Sequence, residues 1–226
     1  MQLLIVPYDL WYWQHWAYMK NAIEYNLAEL AISLDPSHPR HLNPPAPPPH
    51  HKVLDLGCGA GQILKAIRPE AVSFGCDIDM ASMRFGRTLS ENVRFTCCRA
   101  EALPYASSTF DMVIARASLP YTDLTRSLGE VRRVLKPEGT VWMTLHSWAK
   151  QWQLIKEEDL RGKLLMGCSL VNGMLFHTAR KLINFPRKGY ASFQTDSSIT
   201  RALESAGFTA IRIQRGAHYL VTARAA

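Results

Sequence analysis

Nothing in this chain is apolar for long enough to cross a membrane. No run among its 226 residues reaches the ~18 apolar positions of a spanning helix. The early apolar string Leu3 to Val6 is too short for the core of a secretion signal, and it lacks a basic flank. Cysteine is scarce: Cys58, Cys76, Cys97, Cys98 and Cys168 show no zinc-ligand spacing. Four of them fall on or beside expected strands, which suits small buried hydrophobes in a reducing, cytoplasmic setting. A redox or thiophilic-metal role for the adjacent Cys97 and Cys98 is the alternative. His38, His41, His50 and His51 have no cysteine or carboxylate company, so no metal is expected. Acidic residues are outnumbered, 19 to 26, and the net charge of +7 keeps an anionic partner in play. A hydrophobic fraction of 47% excludes a disordered chain, and the length allows a single large core.

What is present is concentrated in Val53 to Gln62, V-L-D-L-G-C-G-A-G-Q. Val53, Leu54 and Leu56 are strand-like, Gly57, Gly59 and Gly61 stand at alternate positions, and a helical pattern opens at Gln62 with Ile63, Leu64 and Ile67. A buried strand, a glycine turn and a helix start make a cofactor site. Glycine lets the backbone approach a ligand closely, and a helix N-terminus offers free N–H groups. The dinucleotide fingerprint is missing: it requires glycine at the sixth position, where this chain has Gln62.

Asp55, Gly57, Gly59 and Gly61 form D-x-G-x-G-x-G, and here the chain resembles the class I S-adenosylmethionine (SAM)-dependent methyltransferases. The resemblance continues downstream. Ala71 to Cys76 reads as a second strand ending at Asp77, about 20 residues past the motif, where a carboxylate can accept both ribose hydroxyls. Asp79 then caps the next helix, although the two aspartates could exchange roles. Ala100, Glu101, Ala102, Leu103 and Pro104 resemble the family's adenine-lining segment, but Arg99 stands where an aspartate usually takes the adenine amine. Phe110 to Ala115 is a fourth strand, Thr125 to Leu135 a helix stopped by Lys136-Pro137-Glu138-Gly139, and Thr140 to Leu145 a fifth strand. Ser197 to Ala206 is a late helix, followed by strands at Thr209 to Gln214 and Tyr219 to Ala223. The expected fold is α/β: a Rossmann-like, mostly parallel seven-stranded sheet flanked by helices.

The resemblance implies SAM as cofactor and S-adenosylhomocysteine (SAH) as product. It implies cofactor contacts from Asp55, Gly57, Cys58, Gly59, Gly61, Asp77, Ile78, Ala100, Glu101, Ala102 and Arg116. Residues 52–226 are then the methyltransferase domain, preceded by an aromatic-rich helical extension at 1–35 and a proline-rich connector at 36–51. The connector carries seven of the 13 prolines in Pro36 to Pro49 and reads as extended and semi-rigid. Tyr8, Tyr12 and Trp16 share a helix face that either packs on the sheet or lids the acceptor pocket. The insertion 147–195 is too long for an ordinary crossover and carries eight basic against three acidic side chains around an apolar stretch, Leu164 to Phe176. It either covers the acceptor or presents a solvated basic face.

These features suggest a small hydrophobic or aromatic acceptor, with Tyr12, Trp16, Ser118 and His177 lining its site. No general base announces itself. Methyl transfer from a sulfonium relies mainly on alignment, and a base is needed only where the acceptor must lose a proton. His146, at the end of the fifth strand, is the best-placed candidate, followed by His177 in the insertion and Tyr121 after the fourth strand. Ser118-Leu119-Pro120-Tyr121 also resembles the N-x-P-Y motif of amino-directed nucleic-acid methyltransferases, which leaves base N-methylation as an alternative. A non-catalytic SAM sensor or subunit is a third. The acceptor atom and the oligomeric state are not written in the sequence.

Overall fold

The computed structural model describes residues 22–67, 73–147, 160–185 and 190–226. Its centre is β1 (Val53–Leu56), whose four residues are all buried, as a strand paired on both edges and covered on both faces must be. β1 pairs in parallel with β2 (Ser73–Asp77) on one side and β4 (Phe110–Arg116) on the other. The remaining strands are β3 (Val93–Cys97), β5 (Leu135–Leu145), β6 (Phe208–Arg215) and β7 (Tyr219–Ala225). The sheet order is β3-β2-β1-β4-β5-β7-β6, with β7 antiparallel to both its neighbours. The chain therefore leaves β1 in one direction and returns to its other edge at β4. That reversal opens a crevice beyond the carboxyl ends of β1 and β4.

The apolar alternation of β4 builds a core on each face. Phe110, Val113 and Ala115 join Leu54, Leu56 and the helical side chains Leu124, Leu128, Val131 and Val134. Met112 and Ile114 join Val53, Ile63, Leu64, Ile67 and Trp142. The first face is covered by α4 (Leu124–Val134), whose buried residues recur at helical spacing and whose N-cap Asp123 accepts from the Arg126 N–H. On the second face lies α2 (Gln62–Ile67). Helix α3 (Met80–Leu89) follows β2, with Asp79 as its N-cap.

One boundary differs by a full turn of chain from the sequence reading. The fifth strand begins at Leu135 rather than Thr140, because Leu135 is already extended and pairs with Phe110. Lys136-Pro137-Glu138-Gly139 is absorbed as an irregularity between the Phe110–Leu135 and Met112–Thr140 pairs, with Glu138 at φ 63°. Within the expected extension, α1 (Ala22–Leu34) is a helix that packs against α2 and α3.

The insertion contains a helix, α5 (Leu160–Ala179), followed by an extended strap. Buried Asn172 fastens the two: it donates to the carbonyls of Ile183 and Ala191 and accepts from the Ile183 N–H at 2.7 Å. Gly173 leaves room for the Phe193 ring, which would lie 2.0 Å from a Cβ there. The strap then runs into α6 (Asp196–Ser205), which opens with a Thr195/Ser198 capping box.

Candidate cofactor and acceptor site

The site begins with three glycines at positive φ: Gly57 at 77°, Gly59 at 53° and Gly61 at 76°. Side chains would strain each, and the space around them differs. At Gly57 a Cβ would lie 2.3 Å from Ser118 Cβ, although the residue itself is exposed to the crevice. At Gly59 it would lie 2.9 Å from Asn26 Oδ1 and 3.2 Å from Gln62 Oε1. The missing side chain at Gly59 therefore makes room for protein, where close approach of a ligand was the reason expected from sequence.

The turn's amides are also committed. Gly57 and Cys58 N–H donate to the Cys76 carbonyl, Gly59 N–H to Asp77 Oδ2 at 2.8 Å, Ala60 N–H to Asn26 Oδ1 at 3.1 Å, and Gly61 N–H to the Cys58 carbonyl. Free N–H groups were expected of the helix N-terminus; the amides of residues 57–61, which precede it, are all bonded within the protein.

Asp55 lies beneath the turn and is 2% exposed. Burial pushes its carboxyl up to about 7, against the opposing pull of Arg116; Asp77 adds to the rise. Asp77 stands at the tip of β2, half-buried, holding the Gly59 and Asp79 N–H groups at 2.8 and 2.9 Å. Asp79 accepts from Ala81 N–H and from Ser82 Oγ, a helix cap in full use. Ile78, between them, projects with 74% exposure.

Ala100, Glu101 and Ala102 follow β3. Glu101 accepts from the Asp123 N–H at 2.9 Å and lies 3.6 Å from Arg99 Nε, so its carboxylate braces the start of α4. Arg116, at the end of β4, pairs with Glu29 at 2.7 Å, and Glu29 also holds Arg40 at 2.5 Å. All three side chains are nearly buried.

Cys58 contributes its backbone to the turn while its side chain is buried beneath it, where desolvation raises the thiol well above its ordinary range. Cys97 and Cys98 are not the buried hydrophobes expected: Cys97 is exposed, Cys98 half-buried. A hydrogen bond with Cys76 lowers the Cys98 thiol and raises that of Cys76. No cluster of metal-ligating side chains occurs among the described residues.

Tyr121 and His146 meet beyond the ends of β4 and β5, with ring centroids 5.1 Å apart, edge to face. The strap is fastened to the backbone beside them. Ser192 N–H donates to the Pro120 carbonyl, Gln194 N–H to the His146 carbonyl at 2.8 Å, and the His146 N–H returns to Gln194 Oε1 at 3.3 Å. Gln194 is fully buried. Ser118 donates its hydroxyl to the Leu56 carbonyl at 2.5 Å, facing the glycine turn. His177 turns to Thr195 Oγ1 at 2.9 Å and borders a separate apolar hollow of about 310 Å³ with Met174 and Phe193. Tyr12 and Trp16 lie outside the described residues.

Residues 54–143 match the family model described as a methyltransferase domain. Over this segment the chain carries the sequence of a class I SAM-dependent methyltransferase domain. The uncharacterized methyltransferase YcgJ of Bacillus subtilis is 35% identical over 103 residues, 42% of this chain and 41% of that protein. The ubiquinone/menaquinone biosynthesis C-methyltransferase UbiE of Ralstonia nicotianae is 36% identical over 118 residues, 48% of each chain. The chain thus spans less than half the length of these curated relatives in the match. A SAM-dependent methyltransferase structure from Methanosarcina mazei shares the fold at a TM-score of 0.56 and 19% identity, over 80% of this chain and 94% of that one. One from Thermotoga maritima, a possible histamine N-methyltransferase, shares it at 0.56 and 15%, over 96% and 93%.

The matched segment of the methyltransferase domain contains the glycine turn, Asp77 and Arg116. It excludes α1, Arg40, His146 and the strap, so it leaves out Asn26, Glu29 and Gln194, which sequence reasoning also missed. One signal was available. Asn26 and Glu29 stand three apart, and therefore on one face, in a largely apolar helix.

Proposed function

We propose that the chain transfers a methyl group from SAM to a small hydrophobic or aromatic acceptor. The observation that carries this reading is the Tyr121–His146 pair, held beyond the ends of β4 and β5 and fastened by the 190–195 strap. An aromatic pair fastened at the carboxyl ends of the strands suits a small hydrophobic or aromatic acceptor. The C-methyltransferase name of the UbiE relatives supports the same acceptor class.

The residues fit the cofactor. A carboxylate has about four acceptor positions. Asp77 uses two on Gly59 and Asp79, which fix its oxygens and leave capacity for both ribose hydroxyls. Ile78 offers an apolar face to the adenine, and Ala100 and Ala102 follow the neighbouring strand β3. Gly57 opens the crevice for the methionine portion. When bound, SAM supplies an electrophilic methyl on a sulfonium. The bound cofactor would thus supply the methyl group and the acceptor the electron pair, with SAH as the product. Where the acceptor loses a proton, His146 receives it, with Tyr121 holding its ring in place. The scarcity of cysteine and its lack of zinc-ligand spacing support a reducing compartment, and we place the protein in the cytoplasm.

Calorimetry tests the cofactor assignment: SAM and SAH are expected to bind and NAD to fail. Asp77→Ala should weaken SAH by about 2–4 kcal/mol, the scale of charge-assisted hydrogen bonds. Asp79→Ala should lower stability by about 1 kcal/mol with little effect on affinity. NAD binding without SAM binding would sink the reading, and the reverse ranking of the aspartates would exchange their roles. SAH release with a panel of aromatic acceptors, lost in Tyr121→Ala, tests the acceptor class. Nucleic acid that copurifies and dissociates steeply with salt would favour the polymer instead.

A further inference from the structure

We infer that Asn26, on a helix outside the matched methyltransferase segment, is a positioning residue for the cofactor: its side-chain amide holds the glycine turn and the tip of β2 in register. The inference rests on the SAM-binding reading above. Asn26 is fully buried although its helix belongs to the extension. Its Oδ1 accepts from the Ala60 N–H at 3.1 Å and from Gln62 Nε2 at 2.5 Å. Its Nδ2 donates to Ser82 Oγ at 2.8 Å, and that hydroxyl donates to Asp79 Oδ2 at 2.5 Å. Asp79 N–H donates to Asp77 Oδ1, and Gly59 N–H donates to Asp77 Oδ2. Followed around, these bonds form a closed circuit: glycine turn, Asn26, Ser82, Asp79, Asp77 and back to the turn. The groups assigned to the methionine and ribose portions are thus tied twice, directly through Gly59 and around through Asn26.

Helix docking alone does not explain this choice of side chain. An apolar residue would bury α1 without desolvating an amide, and each unmade bond of a buried amide is costly. The position requires an acceptor for the turn and a donor for Ser82, which a neutral amide supplies together. A carboxylate here would add a third negative group near Asp77 and Asp79. The fit is reciprocal, since only glycine at position 59 leaves room for Asn26 Oδ1. A buried polar network of this kind rigidifies the groups it joins.

The test is SAH affinity by calorimetry on the full chain, at a temperature where circular dichroism shows every variant folded. Asn26→Leu is expected to raise the SAH Kd about tenfold or more, the scale of one to two lost hydrogen bonds in the loop. Leu30→Ala, a packing change on the same helix, is the control: it lowers stability but should leave Kd within about twofold. Wild-type affinity in Asn26→Leu, or an equal loss in Leu30→Ala, would overturn the inference. If Asn26→Leu does not fold, Ser82→Ala replaces it. That variant cuts one arm of the circuit and should weaken SAH by about threefold; an unchanged Kd would overturn the inference equally. A wild type that binds no SAH would bring down the cofactor reading itself, an outcome separate from a wild type that binds and a variant that binds as well.

Discussion

Asp55 is an acid in a place that disfavours its ionised form, and the consequence can be read against pH. Folding raises its carboxyl from the ordinary 3.8 to about 7. Below the lower value both states are protonated, and nothing is lost. Between the two, the folded chain keeps a proton that the unfolded chain has released, so this group's contribution to stability falls as pH rises and levels off above 7. Asp55→Asn removes that dependence. Relative to wild type, the variant is expected to gain stability from pH 5 to pH 8 in urea unfolding; a pH-independent difference would contradict the burial argument. At this scale the sequence was legible where the cause is local. The glycine spacing reports backbone conformation directly, and Asp79 caps the helix three residues from its Ser82 partner. Asn26 was not legible, because its partners lie 34, 36 and 56 residues away. Nor was the use of Arg116, whose bond to Glu29 spans 87 residues.

Helix α1 is the element whose importance the sequence least disclosed. Its aromatic neighbourhood suggested a lid or a packing face, and the packing shown here runs through polar groups as well as apolar ones. Glu29 is 4% exposed at its side chain and bridges Arg40 of the connector to Arg116 of β4. Removing one partner of a buried pair strands the others. Glu29→Leu is therefore expected to destabilise the protein by about 3–5 kcal/mol, and Arg116→Met in the same background should recover part of it. Strictly additive losses in that double-mutant cycle would mean that the bridge carries no coupling. Elements with plain periodicity, such as α4 with Leu124, Leu128, Val131 and Val134, were legible to within a residue or two. The irregular opening of β5 was not, because its extra pairing with Phe110 depends on a strand 25 residues earlier.

Across the whole molecule, a mostly parallel seven-stranded sheet was implied by alternating strands and helices together with the family resemblance, and the structure has it; the strand order, set by pairings between distant segments, was not legible. The strap was less legible: an extended segment's path is set by what accepts its hydrogen bonds, here the Pro120 and His146 carbonyls. The molecule divides the extension into two tests. Removing residues 1–21 spares Asn26, Glu29 and α1; if the aromatic segment lids the acceptor, SAH affinity should hold while methyl transfer collapses. Removing residues 1–35 takes the buried bridge as well, and should lower the midpoint of thermal unfolding and SAH affinity together. Intact turnover after the shorter truncation would reduce the aromatic face to packing.

The position of β1 between β2 and β4 also sets an order of events during synthesis. β1 is complete at Leu56, but its second edge waits for β4, whose pairing with Val53 begins only at Met112. Until then the central strand has one open edge, and the crevice has one wall. Pairings this distant in sequence slow folding and expose strand edges while they are awaited. Affinity for SAM should therefore emerge late on the ribosome, after β4 has left the exit tunnel. Throughout that interval the nascent chain gains no protection from its cofactor.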